Sequence, residues 1–196
     1  MAKRQKDRRF KPRGRLTAPR ELSAAATEFE QRADEILAVY KAKKATSRGG
    51  PPFEAKESYL KRRAYELIRE YLAAPGRSGT IKTIVRLWRR VPRSPAFSEN
   101  PFFWGLLAVD PQADVLKPAR LHLYSQQLLY AHRHHVPPHF LIGFLYQSGN
   151  PGDLSFKVAR DLREDWFADR SIRPIEAKDT ANDSAPKSGE EAVSDA

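Results

Sequence analysis

Apolar positions early in the chain fall at Leu22, Ala25, Ala26, Phe29, Ala33, Ile36, Leu37 and Tyr40. They recur every three or four residues and so line one side of a helix about five turns long. Thr17 is placed to cap its start, and Pro19 suits a first turn. The stretch SRGGPP, Ser47 to Pro52, then breaks the chain. A second helix is predicted over about Phe53 to Ala74, with Leu60, Ala64, Leu67, Ile68 and Tyr71 inward. Lys61, Arg62, Glu66, Arg69 and Glu70 fall on its other side. A third helix is predicted over about Ser78 to Val91, stopped by Pro92.

A short apolar helix follows near Phe102 to Val109, and a longer one from Pro118 to about His135 with Leu121, Tyr124, Leu128 and Ala131 inward. FLIGFLYQSG is apolar nearly all round and is expected at the centre of the core, with Gly149 as its cap. A last helix is predicted from a cap at Asp153 to about Asp169, packing through Leu154, Val158, Leu162 and Trp166. No strand-like alternation of useful length and no internal repeat is present. The expectation is an all-α fold: a single compact domain of six to seven helices over residues 19–170. Residues 1–18 read as a disordered basic arm and 171–196 as a disordered acidic tail.

Charge sharpens this outline. The net charge of +11 is concentrated: residues 1–20 carry +8, residues 75–96 carry +6, and the rest sums to −3. Two such blocks point to an anionic ligand more than to general solubility. The chain has no cysteine, which excludes disulfides, thiol chemistry and Cys-based zinc sites and fits a cytoplasmic protein. No stretch approaches the roughly 18 apolar residues a membrane span needs, and the N-terminus resembles neither a secretory signal nor a mitochondrial presequence.

The second block lies on the third helix. On a helical wheel Ile81, Ile84, Val85, Trp88 and Val91 share one arc, and Lys82, Arg86, Arg89 and Arg90 share another. One side can be buried while the other presents cations. Ser78, Thr80 and Thr83 lie near the helix start, where unpaired backbone N–H groups attract phosphate oxygens. GxxxxGK[ST] is absent, so a nucleotide P-loop is rejected. A helix-turn-helix is conceivable for the second and third helices, but the turn reads as long and the arginines come late for base contact. Phosphate contact is the safer form. The candidate nucleic-acid-binding residues are Arg77, Ser78, Thr80, Lys82, Thr83, Arg86, Arg89, Arg90 and Arg93. The arm adds Lys3, Arg4, Lys6, Arg8, Arg9, Lys11, Arg13 and Arg15.

Other chemistry is less well supported. All five histidines lie between His122 and His139, and His132 and His135 could face one metal ion. No Asp or Glu lies from Lys117 to Gly152, however, and Arg133 sits inside the cluster. No metal and no cofactor is therefore expected; the histidines suit the last turn of a helix, where the dipole favours positive charge. Asp161, Glu164 and Asp165 read as a solvated face, and Asp110 and Asp114 as turn and cap residues. No catalytic motif occurs, so an enzyme is not expected. FFWG, Phe102 to Gly105, reads either as a docking patch or as core. The resulting expectation is a nucleic-acid-binding regulatory or accessory protein, duplex DNA favoured over RNA, with no membrane partner. The alternative is a helical adaptor docking on an acidic protein, with its apolar patch around Phe102 and Trp104.

Overall fold

A computed structural model describes residues 23–43, 52–53, 55–164 and 166. The chain divides into a unit ending at Glu164 and a second beginning at residue 165, of which only Trp166 is described. The first is all-helical among the described residues. Its elements are α1 (Ala24–Ala42), α2 (Lys56–Ala73), α3 (Ser78–Leu87), the single turn α4 (Pro95–Ser98), α5 (Pro101–Val109), α6 (Pro118–Arg133), a 3-10 turn (Pro138–Phe140), α7 (Leu141–Gln147) and α8 (Pro151–Ala159). The all-α expectation holds. The expected arm, the C-terminal tail and the Thr17 cap lie outside the described residues.

Local chemistry sets the starts. Pro occupies the first turn of α4, α5, α6 and α8, where its missing N–H costs nothing. Ser23 caps α1 by accepting from the Ala26 N–H. Asn100 caps α5, its Oδ1 accepting from Phe102 and Phe103 while its Nδ2 donates to the Ser125 carbonyl of α6. The cap of α8 is Asn150, not Asp153; Asp153 is the third helical residue and accepts from the Asn150 N–H, completing a capping box.

Three helices stop in the same way. At the ends of α3, α6 and α8 a non-glycine residue takes a left-handed conformation: Arg89 (φ 52°), His135 (φ 55°) and Asp161 (φ 51°). In each, paired backbone bonds close the last turn, as Arg89 N to Arg86 O and Arg90 N to Val85 O do after α3. α3 therefore ends at Leu87, short of Val91, which is exposed. α8 ends at Ala159, ten residues before the expected Asp169, and Leu162 is left exposed.

The core is built around α5, where every residue from Phe102 to Val109 is buried, FFWG included. α1, α2, α3 and α6 all pack against it. Gly105 permits the approach of α2, since a Cβ there would lie 2.5 Å from Ile68 side-chain atoms. α1 joins α2 through the edge-to-face Phe29–Tyr71 pair at 5.0 Å, the Tyr71 hydroxyl donating to the Ala25 carbonyl, and the two-pronged Arg32–Glu70 pair. α7 is not the central helix the sequence suggests: Leu141, Ile142, Phe144 and Leu145 face inward, but Tyr146 is 75% exposed.

Candidate nucleic-acid interface

The solvent face of α3 repeats every four residues. Ser78, Gly79, Lys82, Thr83 and Arg86 are exposed, while Thr80, Ile81, Ile84 and Val85 are buried. Small residues thus open the N-terminal half, where among the described residues no side chain caps the helix and none fills the space beside Gly79. The Thr83 hydroxyl donates to the Gly79 carbonyl at 3.1 Å. Thr80, expected on the surface, is buried.

The six basic residues of this block do not share one face. Arg77 is half-buried; its guanidinium stacks on the Tyr71 ring and pairs with Glu28 at 3.3 Å. Arg90 is buried, 8% exposed, and donates to the Asp110 carbonyl. Burial pushes its pKa below the usual arginine value, against the opposing pull of the Asp110 charge. Its wheel position misleads because the helix has already stopped: past the left-handed turn at Arg89 the chain points inward.

Lys82, Arg86, Arg89 and Arg93 remain exposed, and none pairs with a carboxylate among the described residues. Lys82 lies over the Trp104 ring at 5.9 Å. The candidate arm residues, Lys3 to Arg15, lie outside the described residues.

Asp110 fixes this end of α3, and the sequence reading caught only its turn role. Its carboxylate accepts the N–H groups of Asp114, Val115 and Leu116 at 3.1, 2.9 and 2.6 Å, while its carbonyl accepts Arg90. Trp88 packs beside it and donates to Glu30 of α1 at 3.3 Å. Nothing in the local sequence signals that Glu28 and Asp110 engage two of the six cations, because both contacts are distant along the chain.

The histidines are divided among separate packing tasks. His134 is buried; its Nδ1 contacts the Tyr130 carbonyl at 2.8 Å, and its Nε2 accepts the Glu164 N–H at 2.8 Å. The neutral ring with hydrogen on Nδ1 satisfies both bonds. His132 packs edge-on to Phe102. Burial, then the nearby charges of Arg69 and His135, lower its pKa from 6.5. Among the described residues no three metal-ligating side chains converge.

Glu164, expected on a solvated face, instead accepts from the Tyr130 hydroxyl and pairs with Lys157, with 13% of its side chain exposed. Two residues assigned to the outer side of α2 are also tied inward. Lys61 donates to Gln127 and lies over the Tyr124 ring, and burial lowers its pKa. Arg69 donates to the Val136 carbonyl, which also accepts the Tyr65 hydroxyl; burial raises that phenol to about 12.

Compared with protein-family models, with curated proteins and with solved structures, the chain matches none.

Proposed function

We propose that this protein contacts nucleic acid, duplex DNA before RNA, through the exposed face of α3 and the turn that follows it. The observation that carries the reading is the set Lys82, Arg86, Arg89 and Arg93: four exposed cations without carboxylate partners among the described residues, in a stretch of chain that holds no acid. Such groups are available to phosphate, whereas Arg77 and Arg90 are committed to internal contacts. The small residues Ser78, Gly79 and Thr83 let a backbone approach the helix closely, and its uncapped start suits a phosphate oxygen.

The α2–α3 connection, Ala74 to Arg77, is four residues, short enough for a helix-turn-helix. The basic arm adds sequence-independent affinity that weakens with salt. A regulatory or accessory role follows from binding of this kind. Phe102 and Trp104 are buried, so the adaptor alternative would rest on the same basic helix meeting an acidic protein and not on an apolar patch there.

The test is fluorescence anisotropy with labelled duplex DNA and single-stranded RNA over a salt series. The variant is Arg86→Gln/Arg89→Gln/Arg93→Gln, with Arg90 left intact because it is structural. Losing three phosphate contacts lowers the slope of log affinity against log salt by about three. A folded variant that binds with the parent's affinity and slope, or a parent that binds neither probe near physiological salt, overturns the reading.

A further inference from the structure

Beside Trp88 a groove of about 470 Å³ runs between α1 and the loop after α5. Its floor is apolar, from Ala33 and Leu37 of α1 and Val109 of α5. Its rim is acidic: Glu30 and Asp34 stand on α1, and the Lys41–Asp114 pair at 3.5 Å closes the far end. The Trp88 indole forms a further wall. Such a groove fits a peptide rich in Lys and Arg, whose methylene stems lie on the floor while the heads meet carboxylates or the indole face.

The occupant we propose is the protein's own basic arm, Lys3 to Arg20. Charge complementarity supports it, since residues 1–20 carry +8 and Phe10 supplies an apolar anchor. Attachment supports it as well. The arm joins α1 at Ser23, and Glu30 and Asp34 lie about 10 and 16 Å further along the helix. The stretch from Arg15 to Ser23 spans up to about 28 Å, enough to fold back over both carboxylates. A tether this short gives a millimolar effective concentration, so individually weak contacts suffice. Where the arm also serves nucleic acid, which rests on the reading above, groove and phosphate backbone compete for the same cations. The groove then holds the arm back until a polyanion displaces it.

The chain has no native cysteine, so Gly14→Cys in the full chain gives one attachment point for a spin label. Amide signals of Glu30 to Lys41 and of 108–114, with the Trp88 indole signal, are expected to broaden at low salt. The broadening disappears at about 1 M NaCl and in the Glu30→Gln/Asp34→Asn variant, which keeps an acceptor for Trp88. Broadening that is absent, uniform, centred on residues 171–196 or unchanged in the variant overturns the docking. A second arm of the experiment uses labelled duplex DNA. Releasing the arm raises the variant's affinity about three- to tenfold over the parent. Unchanged or weaker binding by the variant overturns the competition. If neither protein binds DNA, the nucleic-acid reading and the competition fall together, while the label data still decide the docking.

Discussion

The turn after α3 and the turn after α6 are built alike and used differently. Both end a helix with a cationic or ionisable residue in a left-handed conformation, Arg89 in one and His135 in the other, and both close with the same pair of backbone bonds. After α3 the next residue, Arg90, turns a charge into the protein while its neighbours Arg86, Arg89 and Arg93 stay outside. After α6 the next residue is Val136, which is fully buried, and His132 and His134 pack inward with it. Two clusters of chemically interesting side chains thus meet opposite fates on one backbone frame. The difference lies in reach and in the neighbours available. Imidazoles on the last turn of α6 meet Phe102, Tyr130 and Phe144, whereas the arginines after α3 have solvent before them and one buried carbonyl behind.

The most disruptive way to probe this contrast is to remove the buried cation. Arg90→Ala leaves the Asp110 carbonyl without its donor and is expected to cost about 2–3 kcal/mol. Arg86→Ala, on the exposed side of the same turn, should stay within about 0.5 kcal/mol. Chemical denaturation of both variants checks the contrast; equal effects would erase it. On the other turn, His134→Ala removes both ring contacts and should cost about 2 kcal/mol. The same denaturation, with loss of protection at the Glu164 amide, reads it out.

A smaller effect of opposite sign tests the shared frame. Glycine relieves the left-handed strain at Arg89 and His135 but adds freedom to the unfolded chain. Arg89→Gly and His135→Gly are each expected to raise stability by a few tenths to about 1 kcal/mol, measured as a rise in Tm. The smallest effect is a pH dependence confined to the α6 turn. His132 titrates below 6.5 when folded, so the unfolded chain binds the proton first as pH falls. Its contribution is complete above pH 6.5 and declines as pH falls from there to the folded value. Melting curves between about pH 7 and pH 5 should show this slope in the parent and less of it in His132→Phe.

The same turns explain what could be read from the sequence. The stripes of α1 and α2 are legible because apolar and polar residues alternate with helical period, and Phe29, Ala33, Leu37, Leu60, Ala64, Leu67, Ile68 and Tyr71 are all buried as expected. The ends of α3 and α8 are not legible. A helix stop is normally marked by Gly or Pro, and here Arg89 and Asp161 do the work unmarked. Extending α3 past its true end put Arg90 on the wrong face. α6 was overrun by less, to about His135 against an end at Arg133, because Pro137 follows closely.

α5 and α7 pose a different difficulty. A segment that is apolar all round has no phase on a wheel, so the pattern cannot say which one is enclosed. The deciding contacts are distant ones, Asn100 to Ser125 and Gly105 against Ile68. Of the candidate interface, the acid-free run was legible. The engagement of Arg77 by Glu28 and of Arg90 by Asp110 was not, since tertiary packing alone creates it.

Asp110 has a consequence for how this protein opens. One residue binds the exit of α3 through its carbonyl and the entry to α6 through its carboxylate. Both segments are thus anchored on one buried residue. In hydrogen-exchange terms, the amides of Asp114, Val115 and Leu116 should open in the same cooperative event as those of Arg89 and Arg90. Joint opening of these amides would mean that the outward arginines are aimed by a unit that melts as a whole.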